Sequence, residues 1–222
     1  MYNFCIKPQK RLIIVLLIVV LFMLSLSSVS AKETTFGLRL GANISGIHRG
    51  PIDMFDSKTG FCIGGYITHN ISELFAIQPE ALISTKGAFS KRTYSGDFDI
   101  NINLVYLEIP ILAKLTIPTG KFIKPSLLFG PSVAIRLFDE VTYSNVLGLE
   151  LKDMLRDNEL HGTTDLGLVF GSNANLGFFK LNLGIRYTLG LTEFAIIQKG
   201  NGHLVLGAMK NRVISFMISR SF

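Results

Sequence analysis

Tryptophan is absent from this 222-residue chain, and cysteine occurs only twice. Two cysteines exclude a disulfide scaffold. Charged residues make up 17% of the chain, against 48% hydrophobic residues, so a disordered, charge-solvated protein is excluded as well. The net charge of +6 is modest and partly N-terminal, which argues against a nucleic-acid binder. No residue pattern resembles a Gly-rich phosphate loop, because the GxG runs such as Gly37 to Gly41 lie inside alternating segments. His48, His69, His161 and His203 have no metal-ligand spacing with one another or with a Cys, and no zinc site or cofactor is expected.

Long apolar runs are also scarce, and the single one is N-terminal. Lys7, Lys10 and Arg11 precede thirteen apolar residues from Leu12 to Leu24, and Val29-Ser30-Ala31 follows. That order reads as a secretory signal peptide over 1–31, cleaved after Ala31, since a spanning helix wants ~20 apolar residues. The mature domain is then 32–222, with nineteen bases against sixteen acids and a net charge of +3. Cys62 becomes its only cysteine and is expected to be a buried small residue.

What the mature chain does have is alternation with period two. Phe36, Leu38, Leu40, Ala42 and Ile44 share one face, and Gly37, Arg39, Gly41 and Asn43 the other. Leu181, Leu183, Ile185, Tyr187 and Leu189 likewise oppose Asn182, Gly184, Arg186, Thr188 and Gly190. Such alternation is the mark of a two-faced strand. Noisier versions occur near 61–68, 75–86, 105–115, 123–137, 165–176 and 214–222, giving eight expected strands and no convincing helix.

The bulky face is apolar on every strand, while the opposite face is Gly, Ser, Asn, Thr and charge. A soluble, lipocalin-like barrel would pack the bulky residues inside. A membrane barrel turns them to lipid and keeps its lumen polar. Connections near 70–73, 118–121 and 177–178 are short, and those at 46–60, 87–101, 139–163 and 191–209 are long, in strict alternation. This is the layout of an all-β, eight-stranded antiparallel up-and-down transmembrane barrel with short periplasmic turns and long external loops. A short helix is expected around 147–155. Phe36, Phe75, Phe122, Phe178 and Phe222 would mark the periplasmic rim, with Phe222 doubling as a C-terminal insertion signal. Pro79, Pro110, Pro125 and Pro131 resist the pattern, since each removes a ladder donor.

Seven charges fall on the lumen side: Arg39, Glu80, Glu108, Lys114, Arg136, Asp165 and Arg186. Inside a narrow lumen they are expected to pair as a structural network, because an isolated buried charge costs several kcal/mol. An ion path or switchable gate is the functional alternative. A catalytic reading rests only on His48 with Asp56 and Ser57 in the first long connection, and no catalytic residue is assigned.

The segments 36–47 (FGLRLGANISGI), 74–88 (LFAIQPEALISTKGA), 103–115 (NLVYLEIPILAKL), 124–135 (KPSLLFGPSVAI) and 183–194 (LGIRYTLGLTEF) resemble the PorT-like outer-membrane β-barrel family, in its order. The prolines are part of that pattern. The resemblance implies an eight-stranded barrel in the outer membrane of a Gram-negative cell, and its namesake is associated with protein secretion. The reading is therefore a monomeric, non-enzymatic outer-membrane barrel with an accessory or structural role, its partners being membrane lipid, the barrel-insertion machinery and secretion-complex proteins, and not nucleic acid. A lipid-modifying enzyme and a narrow gated channel are the alternatives.

Overall fold

The structure is a computed structural model. It describes residues 34–48, 56–92, 98–119, 123–144, 158–161, 163–177, 181–198 and 205–222. The expected signal peptide, the expected helix at 147–155, Phe122 and Phe178 lie outside the described residues.

The strands run in chain order as β1 (Thr34–His48), β2 (Asp56–Asn70), β3 (Phe75–Arg92), β4 (Phe98–Thr116), β5 (Ile123–Ser144), β6 (Asn158–His161), β7 (Thr164–Leu176), β8 (Leu181–Gly190), β9 (Phe194–Gln198) and β10 (Val205–Ser221). Eight of them form the wall in the order β1-β2-β3-β4-β5-β7-β8-β10, every neighbour antiparallel. The sheet closes where β1 meets β10, from Gly37↔Ser221 to His48↔Lys210. Closure removes the free sheet edges that lipid could not satisfy with hydrogen bonds. The backbone N–H of Phe222 donates to the Phe36 carbonyl (2.8 Å), which carries the seam to the last residue.

Side chains obey the expected parity. Leu38, Leu40, Ile63, Phe129, Leu183 and Phe216 point outward and are exposed, and Phe129 meets its cross-strand partner Phe170 with ring centroids 6.2 Å apart. In water, so many exposed large apolar side chains would form one continuous adhesive surface. Around a lipid-facing band they are the side that needs no burial. The packing thus excludes the soluble, lipocalin-like alternative.

The wall has the eight strands expected. Two short strands beyond it were not expected: β6 and β9 pair with each other, and β9 pairs with the outer part of β10. The long connections are also shorter than expected: β3 runs on to Arg92, β4 begins at Phe98, β5 reaches Ser144 and β10 begins at Val205. Alternation fades there because a strand outside the bilayer needs no lipid-facing apolar side. Backbone pairing does not depend on that alternation and continues.

The prolines are absorbed without slippage. The register runs unshifted from Pro79↔Ile111 to Leu82↔Glu108, and from Pro110↔Ser132 to Ala113↔Phe129. The one register shift in the β4–β5 ladder falls elsewhere, between Val105 and Tyr106, where Leu137 is the extra residue. A bulge there bends the strand as it leaves the lipid-facing band.

Candidate functional site: the barrel lumen

Strand parity sends Arg39 of β1, Gln78 and Glu80 of β3 and Arg186 of β8 into the lumen. Glu80 is fully buried and accepts four hydrogen bonds. Arg39 Nη1 donates to Oε1 (2.5 Å), and Gln78 Nε2 donates to the same oxygen (2.6 Å). Arg186 grips both oxygens in a fork, Nη1 to Oε2 (2.6 Å) and Nη2 to Oε1 (2.7 Å). Planar guanidinium and carboxylate groups match in this two-point geometry. Thr68 donates in turn to Gln78 Oε1 (3.0 Å), and the Arg39 guanidinium carbon lies 4.6 Å from the Tyr66 ring centroid. One carboxylate therefore ties β1, β3 and β8 together across the barrel.

Tyr66 of β2 reaches over β1 to β10 because Gly37 makes room for it. A Cβ added at Gly37 would lie 2.2 Å from Tyr66 Cζ, so any side chain there would displace the ring. The Tyr66 hydroxyl pairs with Ser221 Oγ (3.0 Å), and Asn182 Nδ2 donates to the same Ser221 oxygen (3.3 Å). Next to the charged cluster, Leu112, Leu128 and Val169 form a buried apolar layer. An internal cavity of about 10 Å³ touches Asn43, Ser84, Glu108, Arg186 and Ser215. That is room for about one water molecule.

The seven charges expected to form a network are all on the inward parity, but they do not form a single cluster. Arg39, Glu80 and Arg186 make the triad just described. Glu108 pairs with Lys86 (2.5 Å), a residue that sequence reasoning left out of the network. Arg136 pairs with Asp139 through Nε (3.4 Å) at the outer end of the wall. Asp165 accepts from Asn211 Nδ2 (2.9 Å) and from Thr192 Oγ1 (2.8 Å). Lys114 faces inward between Ala76 and Leu128 in the ladders and joins none of these pairs.

Other lumen residues left out of the expected network are mostly amides. Asn43 donates to Ser84 Oγ (2.9 Å), and Lys58 Nζ donates to the side-chain oxygens of Asn101 and Asn103. Their signal was the parity itself: Gln78, Glu80, Ser84 and Lys86 share one face of β3. A charge count overlooks neutral amides, although a buried amide needs its hydrogen bonds as a buried charge needs its partner.

The candidate catalytic trio is not assembled by the described structure. Asp56 and Ser57 are exposed at the start of β2, opposite Phe89 and Ala88, and the His48 side chain lies outside the described residues. Among the described residues, no group of three or more His, Cys, Asp or Glu is placed to hold a metal ion. Cys62 is free and buried in the lumen wall.

These features define an outer-membrane barrel, and the sequence agrees. Residues 26–195 match the family model described as outer membrane protein beta-barrel domain, and the chain belongs to that family. Its place is the outer membrane. Solved structures to which the chain is similar have low sequence identity to it. OprG from Pseudomonas aeruginosa has 15% identity and a TM-score of 0.49, the match covering 87% of this chain and 98% of that one. Neisserial surface protein A has 15% identity and a TM-score of 0.43, with 86% and 100% covered. Ail, the attachment invasion locus protein of Yersinia pestis, has 10% identity and a TM-score of 0.43, with 86% and 99% covered. No curated protein matches the chain.

Proposed function

We propose that this chain is a non-enzymatic, closed outer-membrane barrel that serves as an accessory or structural component of a larger assembly. One observation carries the reading: the lumen is filled. The Glu80 triad spans it, the Leu112, Leu128 and Val169 layer lies beside the triad, and the cavity between Asn43 and Arg186 has room for about one water. An eight-stranded barrel is narrow enough for its own side chains to fill. A filled lumen leaves the surface of the barrel as the working part.

The resemblance to PorT-like barrels directs the search for a partner toward protein secretion. The outer ends of β3, β4 and β5, paired as far as Arg92↔Phe98 and Asp99↔Ser144, supply a raised wall on which a partner can rest. Cross-linking in native outer membranes, followed by identification of the captured proteins, tests this. A stable complex containing secretion components is the expected result, and a lone barrel in lipid overturns the accessory role. Steady conductance of the purified barrel in planar bilayers would overturn the closed lumen and make the narrow channel primary.

A further inference from the structure

The outward face of β10 carries an arginine at each end of an apolar stretch. Arg212 and Arg220 flank Ile214, Phe216 and Ile218 on the same face, and both arginines are exposed. Eight residues of strand span about 26 Å. At the usual tilt of ~35–45° this is about 19–22 Å across the bilayer, close to the ~25 Å apolar band of such barrels. The two guanidinium groups therefore stand near the two headgroup levels, each within reach by its flexible stem. Arg220 lies at the end of the short turns, in register with Leu38 of β1 and Leu181 of β8, so its level is that of the inner leaflet.

A groove of about 460 Å³ opens beside Arg220 on the outer surface of β8, β10, β1 and β2. Leu38, Leu40, Ile63, Leu181, Ile218 and Phe222 line it. Its volume falls within the ~300–1,000 Å³ typical of small-ligand sites. Beside the groove, Gly65, the cross-strand partner of Leu38, puts no side chain on the wall: a Cβ there would meet only the Gly37 carbonyl oxygen at 3.5 Å and Leu38 Cδ2 at 4.0 Å. At the rim, the Arg220 guanidinium carbon sits 5.6 Å from the Phe222 ring centroid, which holds the charge at the mouth of the groove.

We propose that this groove holds one anionic glycerophospholipid of the inner leaflet, its phosphate on Arg220 and one acyl chain along Leu38, Leu40, Ile63 and Ile218. The occupant follows from the surroundings. The groove faces the bilayer, its lining is apolar, and among the described residues its one outward charge is a cation at headgroup depth. A guanidinium matches a phosphate in two-point geometry. The site is independent of the accessory role proposed above and needs only the outer-membrane location.

The test is native mass spectrometry of the folded full-length barrel in detergent, titrated with phosphatidylglycerol and, separately, with phosphatidylcholine. One tightly retained phosphatidylglycerol is expected, with weaker retention of phosphatidylcholine. Arg220→Gln should weaken phosphatidylglycerol binding about fivefold, the worth of one interfacial cation. Gly65→Leu sets a side chain beside Leu38 at the edge of the groove, keeps Arg220, and should weaken retention of both lipids. Arg212→Gln, at the opposite headgroup level, should leave binding unchanged. Heat-dependent gel mobility verifies that each variant is folded, and Arg220→Lys replaces Arg220→Gln if the latter does not fold, with weaker but still anion-selective binding expected. Equal retention by Gly65→Leu and the parent, or equal affinity for the two lipids, would overturn the proposal.

Discussion

Glu80→Gln removes one negative charge from the centre of the barrel and almost nothing else. Glu80 carries two guanidinium groups, so the substitution leaves Arg39 and Arg186 both charged and without a counter-ion in a fully buried position. It also turns one acceptor oxygen into a donor facing donors, which breaks the Arg186 fork. Removing one partner of a buried ion pair costs about 3–5 kcal/mol. Two pairs are broken here, but they share one carboxylate and cannot be counted twice. The expected destabilisation is therefore about 3–5 kcal/mol, a drop of about 10² to 10³·⁵ in the folding constant.

The natural assay is a urea titration of the barrel in lipid vesicles, read by heat-dependent gel mobility and far-ultraviolet circular dichroism, since the chain has no tryptophan. A combined variant sharpens it. Arg39→Met with Glu80→Leu and Arg186→Met replaces the triad by apolar groups of similar size, and should recover most of the loss, because neither charge then has to be desolvated. A Glu80→Gln barrel within ~1 kcal/mol of the parent would refute the reasoning, as would a triple variant no more stable than the single one.

Three other outcomes are expected. Glu108→Ala strands the buried Lys86 and should cost about 3 kcal/mol in the same titration, less than Glu80→Gln because the Glu108 side chain keeps 12% of its exposure. An unchanged midpoint would show that Lys86 finds another partner. Leu112→Ala opens a hole in the layer with Leu128 and Val169 and should cost about 2–5 kcal/mol while leaving the seam between β1 and β10 intact, which amide exchange on those strands can verify. Gly37→Val must expel the Tyr66 ring and break its bond to Ser221, so exchange should rise selectively at the β1–β10 seam; uniform protection would show that the ring relocates without cost.

Some of this molecule was readable before any coordinates. Parity assigned Arg39, Glu80 and Arg186 to one side of their strands, and the bulk of Leu38, Phe129 and Phe216 to the other. That is a local property, because successive side chains on a strand must point to opposite faces. The inverted dressing of those faces indicated which side met lipid.

The same logic failed where its cause was missing. Beyond the bilayer, at 87–92 or 139–144, no apolar face is demanded and the alternation dissolves, yet β3 and β5 continue because their hydrogen bonds come from the backbone. Leu104, Leu112, Leu128 and Val169 also broke the polar-lumen expectation, since packing inside a filled barrel rewards close contact as well as polarity.

The sequence by itself thus determined the strand count of the wall, its inside and outside, and the parity that turns Arg39, Glu80 and Arg186 inward. Partnership was decided only by the tertiary structure. Arg39, Glu80 and Arg186 are 41 and 106 residues from one another along the two contacts they make, and nothing local relates them. The closure of β1 on β10 and the stagger of eight strands bring those three to one level of the lumen, and carry Lys86, rather than a base already counted, to Glu108. Register is a property of the whole sheet, since a slip by one residue would reverse every side chain. The pairing of buried charges follows from it and cannot be assigned one strand at a time.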